Sequence, residues 1–166
     1  MKKDIGLDDI SIRTELRPGD IGIIIHMHGD LYQKEYGYGI QFEAYVAKGL
    51  CEFWEKYNLE RNRVWVCEHN DKIVGFMLLM DRGKAAQLRY FLIQPEYRGI
   101  GLGAKLMSLY MEFLRECGYR ESYLWTTHEL STAAFLYQRA GFQLTEEKES
   151  TAFGKPLREQ RYDLAL

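Results

Sequence analysis

Phe91-Leu92-Ile93-Gln94-Pro95-Glu96-Tyr97-Arg98-Gly99-Ile100-Gly101-Leu102-Gly103-Ala104 decides how the rest of this 166-residue chain is read. An apolar run meets a proline and then crosses a turn with glycine at 99, 101 and 103. Beyond the turn, Leu102, Leu106, Leu109, Phe113, Leu114 and Cys117 keep helical spacing through the segment Lys105 to Cys117. The order is strand, glycine turn, helix. Backbone N–H groups at a helix start lack intrahelical acceptors, and the helix dipole adds positive potential there. Glycines remove the Cβ atoms that would hold an anion off that backbone. A pyrophosphate is the guest such a turn suits.

Spacing separates the phosphate loops. A Walker loop needs Gly-Lys followed by Ser or Thr, but Lys105 follows Ala104 and precedes Leu106, which excludes it. A dinucleotide-binding turn would read Gly99, Gly101 and Ala104. That motif opens an early βαβ unit, with an acid closing the second strand to hold a ribose. Here the turn lies past mid-chain, and Glu121 precedes the next strand. A strand-to-helix turn that uses glycine only for tightness is the plain alternative.

Composition narrows the class. A hydrophobic fraction of 46% suits one folded domain spanning residues 1–166, and 14% aromatic residues can line a pocket as well as a core. The net charge of −2, with acids and bases interspersed, offers no phosphate-tracking patch, so nucleic acid is not expected as a direct partner. Met1-Lys2-Lys3-Asp4 leads into no apolar leader, and no stretch approaches a membrane span. Cys51, Cys67 and Cys117 are isolated, which argues against a disulfide framework and for the reducing cytoplasm.

Working outward, Ile10 to Leu16 alternates as a first strand, and Asp20 is placed to cap a helix. Ile21 to Tyr36 keeps helical spacing despite its β-branched Ile23-Ile24-Ile25, and Gly37-Tyr38-Gly39 breaks it. Phe42 to Tyr57 reads as a second helix with Phe42, Val46, Leu50, Phe53 and Trp54 inward. The period then switches to two. Strands at Arg63 to Glu68, Ile73 to Met80 and Ala86 to Ile93 are joined by short polar turns, which predicts antiparallel pairing, with Gly75 at a bulge. After the glycine turn and its helix come a strand at Ser122 to Thr127, a helix at Ser131 to Ala140 closed by Gly141, and strands at Phe142 to Glu149 and Arg158 to Leu164. The fold class expected is α/β in the α+β sense: a mostly antiparallel mixed sheet with helices on both faces.

Arg98-Gly99-Ile100-Gly101-Leu102-Gly103 resembles the Arg/Gln-x-x-Gly-x-Gly/Ala signature of the GNAT acyltransferases, and the element order resembles theirs. Ala134-Phe135-Leu136-Tyr137-Gln138-Arg139-Ala140-Gly141-Phe142 is similar to the Ala-x-x-Leu-Tyr-x-x-x-Gly-Phe motif of the same family. The flanks resemble GNAT domains fused behind winged-helix MarR-type regulators, through His26, His28, Gly29, Tyr32, Glu35, Tyr36, Gly37, Phe42 and Glu43, and a closing Glu159-Gln160. No winged-helix segment is present in this sequence.

The resemblance implies acetyl-CoA as co-substrate, gripped by Arg98, Gly99, Ile100, Gly101, Leu102, Gly103 and Ala104, with Phe91, Leu92 and Ile93 offering backbone to its pantetheine arm. It places Tyr137 beside the thioester as general acid. A phenol near pKa ~10 lies close to a departing thiol, so proton transfer is nearly thermoneutral. Where many members carry a Glu base, this chain has Gln87, and Leu130 stands where others have an Asn. Glu43, Glu129 and His28 remain as bases acting directly or through water. Asp30, Glu35 and Glu43 among Tyr32, Tyr36 and Tyr38 favour a cationic amine, with His28, Tyr32, Glu43 and Glu129 expected around it. His26 and His28 lie two apart and point different ways on a helix, so no metal is expected. The function implied is N-acetylation of a primary amine on a small or amino-acid-like molecule, in a family whose members often pair as homodimers. The alternative is a non-catalytic acyl-CoA sensor.

Overall fold

The computed structural model describes residues 4–166. In chain order it runs β1 (Ser11–Arg13), α1 (Asp20–Tyr36), α2 (Ile40–Glu55), β2 (Arg63–His69), β3 (Lys72–Asp81), β4 (Ala85–Ile93), α3 (Leu102–Glu116), β5 (Glu121–Thr127), α4 (Ser131–Ala140), β6 (Gln143–Ser150) and β7 (Leu157–Ala165). The seven strands form one sheet in the order β1-β2-β3-β4-β5-β7-β6, and β4–β5 is its parallel pair. This is the expected mixed sheet. One face packs Trp65, Met77, Leu79 and Leu88 beneath α3 and α4. The other packs Val64, Val66, Phe76 and Leu78 beneath α1 and α2.

Local chemistry explains most element ends. The β2–β3 hairpin turns on Asn70 and Asp71 at φ 50° and 60°, the left-handed pair that a tight hairpin requires and that Asn and Asp tolerate. Val74 is the extra residue opposite Cys67 and Glu68, so the bulge expected at Gly75 lies beside it. α1 stops where Gly37 adopts φ 72° and returns its N–H to the Gln33 carbonyl.

Three expectations are corrected. The first strand is Ser11–Arg13 alone: the pairing with β2 ends at Arg13↔Val66, and the Arg13 side chain reaches on to Asp20 of α1. Asp20 is the first residue of α1 rather than its cap. Its carboxylate receives both Arg13 amino groups at 2.7 and 2.9 Å and the Arg17 N–H at 2.7 Å. Burial opposes ionisation of Asp20, but Arg13 and the Arg17 amide outweigh it and hold the carboxyl below its usual range. Trp54 is 54% exposed and stacks on Tyr57 instead of entering the core. Leu50 and Phe53 already fill the face turned to the sheet.

The feature that positions the site is a bulge in β4. Leu78 lies opposite Arg89 and Phe76 opposite Leu92, so two residues of β4 face one of β3. Tyr90 takes φ 58°, a conformation unfavourable for a bulky residue. Consequently Arg89 and Tyr90 both project toward α2, where Gly49 leaves the space they occupy. A Cβ on Gly49 would stand 1.7 Å from the Tyr90 hydroxyl and 2.9 Å from an Arg89 nitrogen. Gly49→Ala should therefore cost about 1–3 kcal/mol by overpacking, read as a lowered denaturant midpoint with unchanged slope. A midpoint equal to the parent protein's would show that the bulge is free to relax.

Candidate active site

β4 and β5 pair only through Ala85↔Glu121, Ala86↔Ser122 and Gln87↔Tyr123. Beyond Gln87 the two strands diverge, which leaves the β5-facing edge of β4 from Leu88 to Ile93 without a strand partner. Two connected openings fill the wedge. The first, about 700 Å³ and open to solvent, is bounded by β4 and the end of β5, with His28 and Tyr32 of α1, Tyr38, Tyr137 of α4, and Glu159 of β7 around it. The second, about 730 Å³, runs past Phe91, Leu92 and Ile93 between the end of α1 and the start of α4.

At the outer side of the second opening stands the glycine turn. Gly99 and Gly101 have φ of 78° and 89°, as a turn that aims successive amides outward requires. Among the described residues, no acceptor takes the N–H of any residue from Gly99 to Ala104, and no side chain caps α3. A Cβ on Gly103 would lie within 4 Å of Leu136, Phe91 and Ile93, so the turn abuts the second opening. Arg98 gives both amino groups to Glu35 at 2.7 and 3.2 Å, tying the turn to α1. A free-amide cradle, an adjoining groove and an unpaired strand edge together fit a pyrophosphate with an extended arm.

Buried polar atoms mark the same place. Among the described residues, the buried side-chain polar atoms without a partner are His28 Nε2, Tyr90 Oη, Thr126 Oγ1 and Glu129 Oε1, and all four residues line the two openings. Such atoms are normally paired. Glu129 receives Lys155 at 3.1 Å through its other oxygen, while Lys155 also donates to the Tyr36 carbonyl at 2.8 Å. His28 lies within 2.8 Å of the Ile24 carbonyl through Nδ1. Nδ1 therefore carries the proton, and Nε2 presents a lone pair.

Tyr137 is buried, yet its hydroxyl has no protein partner and is not among the sealed polar atoms, so it opens into the first cavity. Burial first, then the neighbouring Tyr110 and Tyr162, push its phenol above the ordinary value and keep it protonated. Tyr32 stands on the opposite wall, likewise raised by burial.

Of the residues expected from sequence, His28, Tyr32, Phe91 and Tyr137 meet at the first opening, and Leu92, Ile93, Arg98 and Glu129 at the second. Glu43 does not join them. Its carboxylate fills the gap over Gly29 between α1 and α2, where a Cβ would be 2.3 Å from Oε1. Asp30 pairs with Lys34 on the outer face of α1. Gln87 is buried and accepts from Arg82 and Tyr123, so it serves structure. Sequence reasoning passed over Arg89, whose charge interrupts an otherwise apolar strand, and noted Glu159 only in the closing Glu159-Gln160 pair, without placing it at the cavity that its pairing with Thr127 gives it. Among the described residues no group of three or more His, Cys, Asp or Glu could hold a metal ion, and no helix is long and apolar enough to cross a membrane.

The architecture and the turn define an acyltransferase-like fold, and comparison with known proteins supplies the family. Residues 29–142 match the model of the acetyltransferase (GNAT) family, to which the chain belongs. An uncharacterized N-acetyltransferase of Methanocaldococcus jannaschii is 30% identical over 129 residues, which cover 72% of this chain and 55% of that protein. The chain thus spans about half the length of that relative. A solved acetyltransferase of Salmonella typhimurium, described with its cofactor acetyl-CoA, superposes with a TM-score of 0.70 at 20% identity, covering 95% of this chain and 94% of that one. Spermidine N-acetyltransferase from Vibrio cholerae, solved with CoA and spermine, gives 0.69 at 19% identity over 95% and 96%.

His28 yields a pH test. Burial lowers its pKa from 6.5 to about 4, only partly opposed by the Ile24 carbonyl. The folded protein resists a proton that the unfolded chain accepts, so this contribution is complete above pH 6.5 and fades as pH falls toward 4. Full protonation of the unfolded chain costs about 3 kcal/mol at one pKa unit per 1.36 kcal/mol. Urea midpoints measured from pH 8 to 4.5 should fall below pH 6.5, and less steeply for His28→Gln. Equal slopes would remove His28 from the account.

Proposed function

We infer that this protein is an acetyl-CoA-dependent N-acetyltransferase acting on a primary amine of a small molecule. The observation that carries this reading is the unpaired run of amides from Gly99 to Ala104, set beside an unpaired strand edge that leads to the Tyr137 hydroxyl. Gly99 to Ala104 would hold the diphosphate. The free edge of β4 at Phe91, Leu92 and Ile93 would take the amides of the arm. Acetyl-CoA supplies the activated acetyl group.

The acceptor enters the first cavity, where Glu159 is the lining carboxylate and aromatic faces of Tyr38, Tyr45 and Trp125 surround it. Such walls attract an ammonium. Glu159 receives it and passes one proton to water at the open mouth, which leaves the nitrogen neutral. That nitrogen bonds to the acetyl carbon, the carbon–sulfur bond breaks, Tyr137 gives its proton to the departing sulfur, and the proton shed by the new amide nitrogen returns through water to the Tyr137 oxygen. The raised phenol does not spoil this match, because a thiolate in the same dry site is raised too. Burial alone pushes the Cys67 thiol of this protein up to about 12.

Tyr137→Phe should lower kcat by about 10²- to 10⁴-fold, the usual contribution of a positioned acid, while coenzyme A still raises the melting temperature. Full turnover by the variant would remove the acid role. Gly101→Val forces a branched side chain to φ 89° in the cradle and should abolish the stabilisation by coenzyme A, which for the parent is about 2.7 kcal/mol at a hundredfold excess over Kd. An undiminished shift would place the diphosphate elsewhere.

The second reading is acyl-CoA sensing without transfer, favoured by Gln87 standing where a carboxylate base is common in the family and by the likeness of the flanks to regulator-linked domains. Free thiol followed with acetyl-CoA and a panel of amines separates the two. Binding without thiol release would establish the sensor.

A further inference from the structure

Two charged residues, Arg89 and Glu159, line the first cavity and form no salt bridge among the described residues. Arg89 extends from the β4 bulge with its guanidinium 4.7 Å over the Tyr90 ring and 5.5 Å from the Tyr45 ring. Its Nη2 donates to the Tyr45 hydroxyl at 3.1 Å, and its Nη1 meets only the Met80 sulfur at 4.0 Å. A guanidinium carries five N–H donors, so the one oxygen acceptor leaves most of them unserved. Among the described residues no carboxylate lies within 4 Å of it. Glu52, on the same helix as Gly49, is occupied by Arg82 at 3.2 Å and Lys56 at 3.7 Å. Arg89 is nevertheless held firmly: two aromatic faces and the notch at Gly49 fix the plane of the fork before any ligand arrives.

Glu159 shows the complementary pattern across the same cavity. Lys148 lies opposite it on β6 but sets its ammonium 4.7 Å over the Trp125 ring, and Lys155 is taken by Glu129. Glu159 forms no ion pair among the described residues. One cavity is therefore lined by Arg89, with an underused guanidinium, by Glu159, with an unpaired carboxylate, and by Tyr137.

We propose that the acceptor carries a carboxylate as well as the reactive amine, and that Arg89 binds the carboxylate while Glu159 faces the ammonium. The specificity-determining residue is Arg89, and the substrate class is amino acids and their derivatives. This rests on the acetyltransferase reading for the reaction but not for the binding. A simple amine would leave Arg89 facing water, whereas a carboxylate gains a planar bidentate partner already immobilised. A planar pair of this kind distinguishes Arg from Lys.

The test uses the protein saturated with coenzyme A and calorimetric titration of matched probes differing only in the carboxylate. The pairs are L-phenylalanine against 2-phenylethylamine, L-methionine against 3-(methylthio)propylamine, and 6-aminohexanoate against pentylamine, so that both short and long separations of charge are sampled. At least one carboxylate-bearing probe should bind tenfold or more tightly than its partner. Arg89→Gln should bring that ratio to about one, and Arg89→Lys should restore only part of it. Circular dichroism melts check that both variants are folded. Equal affinities within every pair, no binding by any probe, or a ratio that survives in folded Arg89→Gln would overturn the proposal. Thiol release measured on the same probes reports separately on the reaction. Carboxylate-dependent binding with no thiol release would overturn catalysis and leave this inference standing. Turnover of amines regardless of their carboxylate would do the reverse.

Discussion

Everything at the candidate site follows from a seam that does not close. A parallel strand pair joined by a helical crossover has no local turn to set its register, so it holds together only where side chains and ladder agree. Here β4 and β5 agree for three residue pairs and then part. The bulge at Tyr90 is the physical reason on the β4 side. It inserts a residue, increases the local twist and turns the strand away from β5 toward β3, with which pairing resumes at Leu92. The cost is a left-handed tyrosine and an open wedge in the middle of the sheet. The apolar layers on both faces are extensive enough to carry that cost.

The wedge is bridged by ions rather than by backbone. The last turn of α1 reaches Arg98 through Glu35 on one side, and Lys155 with Glu129 on the other. The Arg98 and Glu35 side chains are 46% and 23% exposed, so their pairing contributes no more than about 1 kcal/mol. That is enough to set where α1 ends and too little to seal the groove. A fold that needed the groove closed would have used apolar side chains there.

The sequence made the order of elements and the glycine turn legible because both depend on short-range rules. Hydrophobic period, turn residues and the C-terminal glycines at 37 and 141 act within a few positions. Alternation in β4 failed for a reason that no local rule contains. A bulge shifts the parity of every later side chain, so Arg89 and Tyr90 share a face and Leu92 returns to the α1 side. Glu43 was misplaced for a similar reason. Its helix and position suited a pocket, but the absence of a side chain at Gly29 draws the two helices together and takes the carboxylate between them. Trp54 was read inward on period alone, although Phe53 beside it already filled the available depth.

Arg89 shows how far such a misreading reaches. In regular alternation, Gln87, Arg89 and Phe91 would share one face, and a lone arginine there would look like a rim charge. The bulge instead pairs it with Tyr90 against α2, and Gly49 supplies the space for both. One deviation from the ladder thus does three things at once: it opens the seam, frees the strand edge for an extended ligand, and brings the Tyr90 ring under the guanidinium of Arg89, whose own face is set by its pairing with Leu78. Cofactor groove and acceptor specificity are therefore not independent properties of this fold. A substitution that relaxed Tyr90 into regular β geometry would close the seam and carry the Tyr90 ring to the opposite face, leaving Arg89 on the α2 side without the ring that seats it, so that loss of arm binding and loss of acceptor selectivity share a single structural origin.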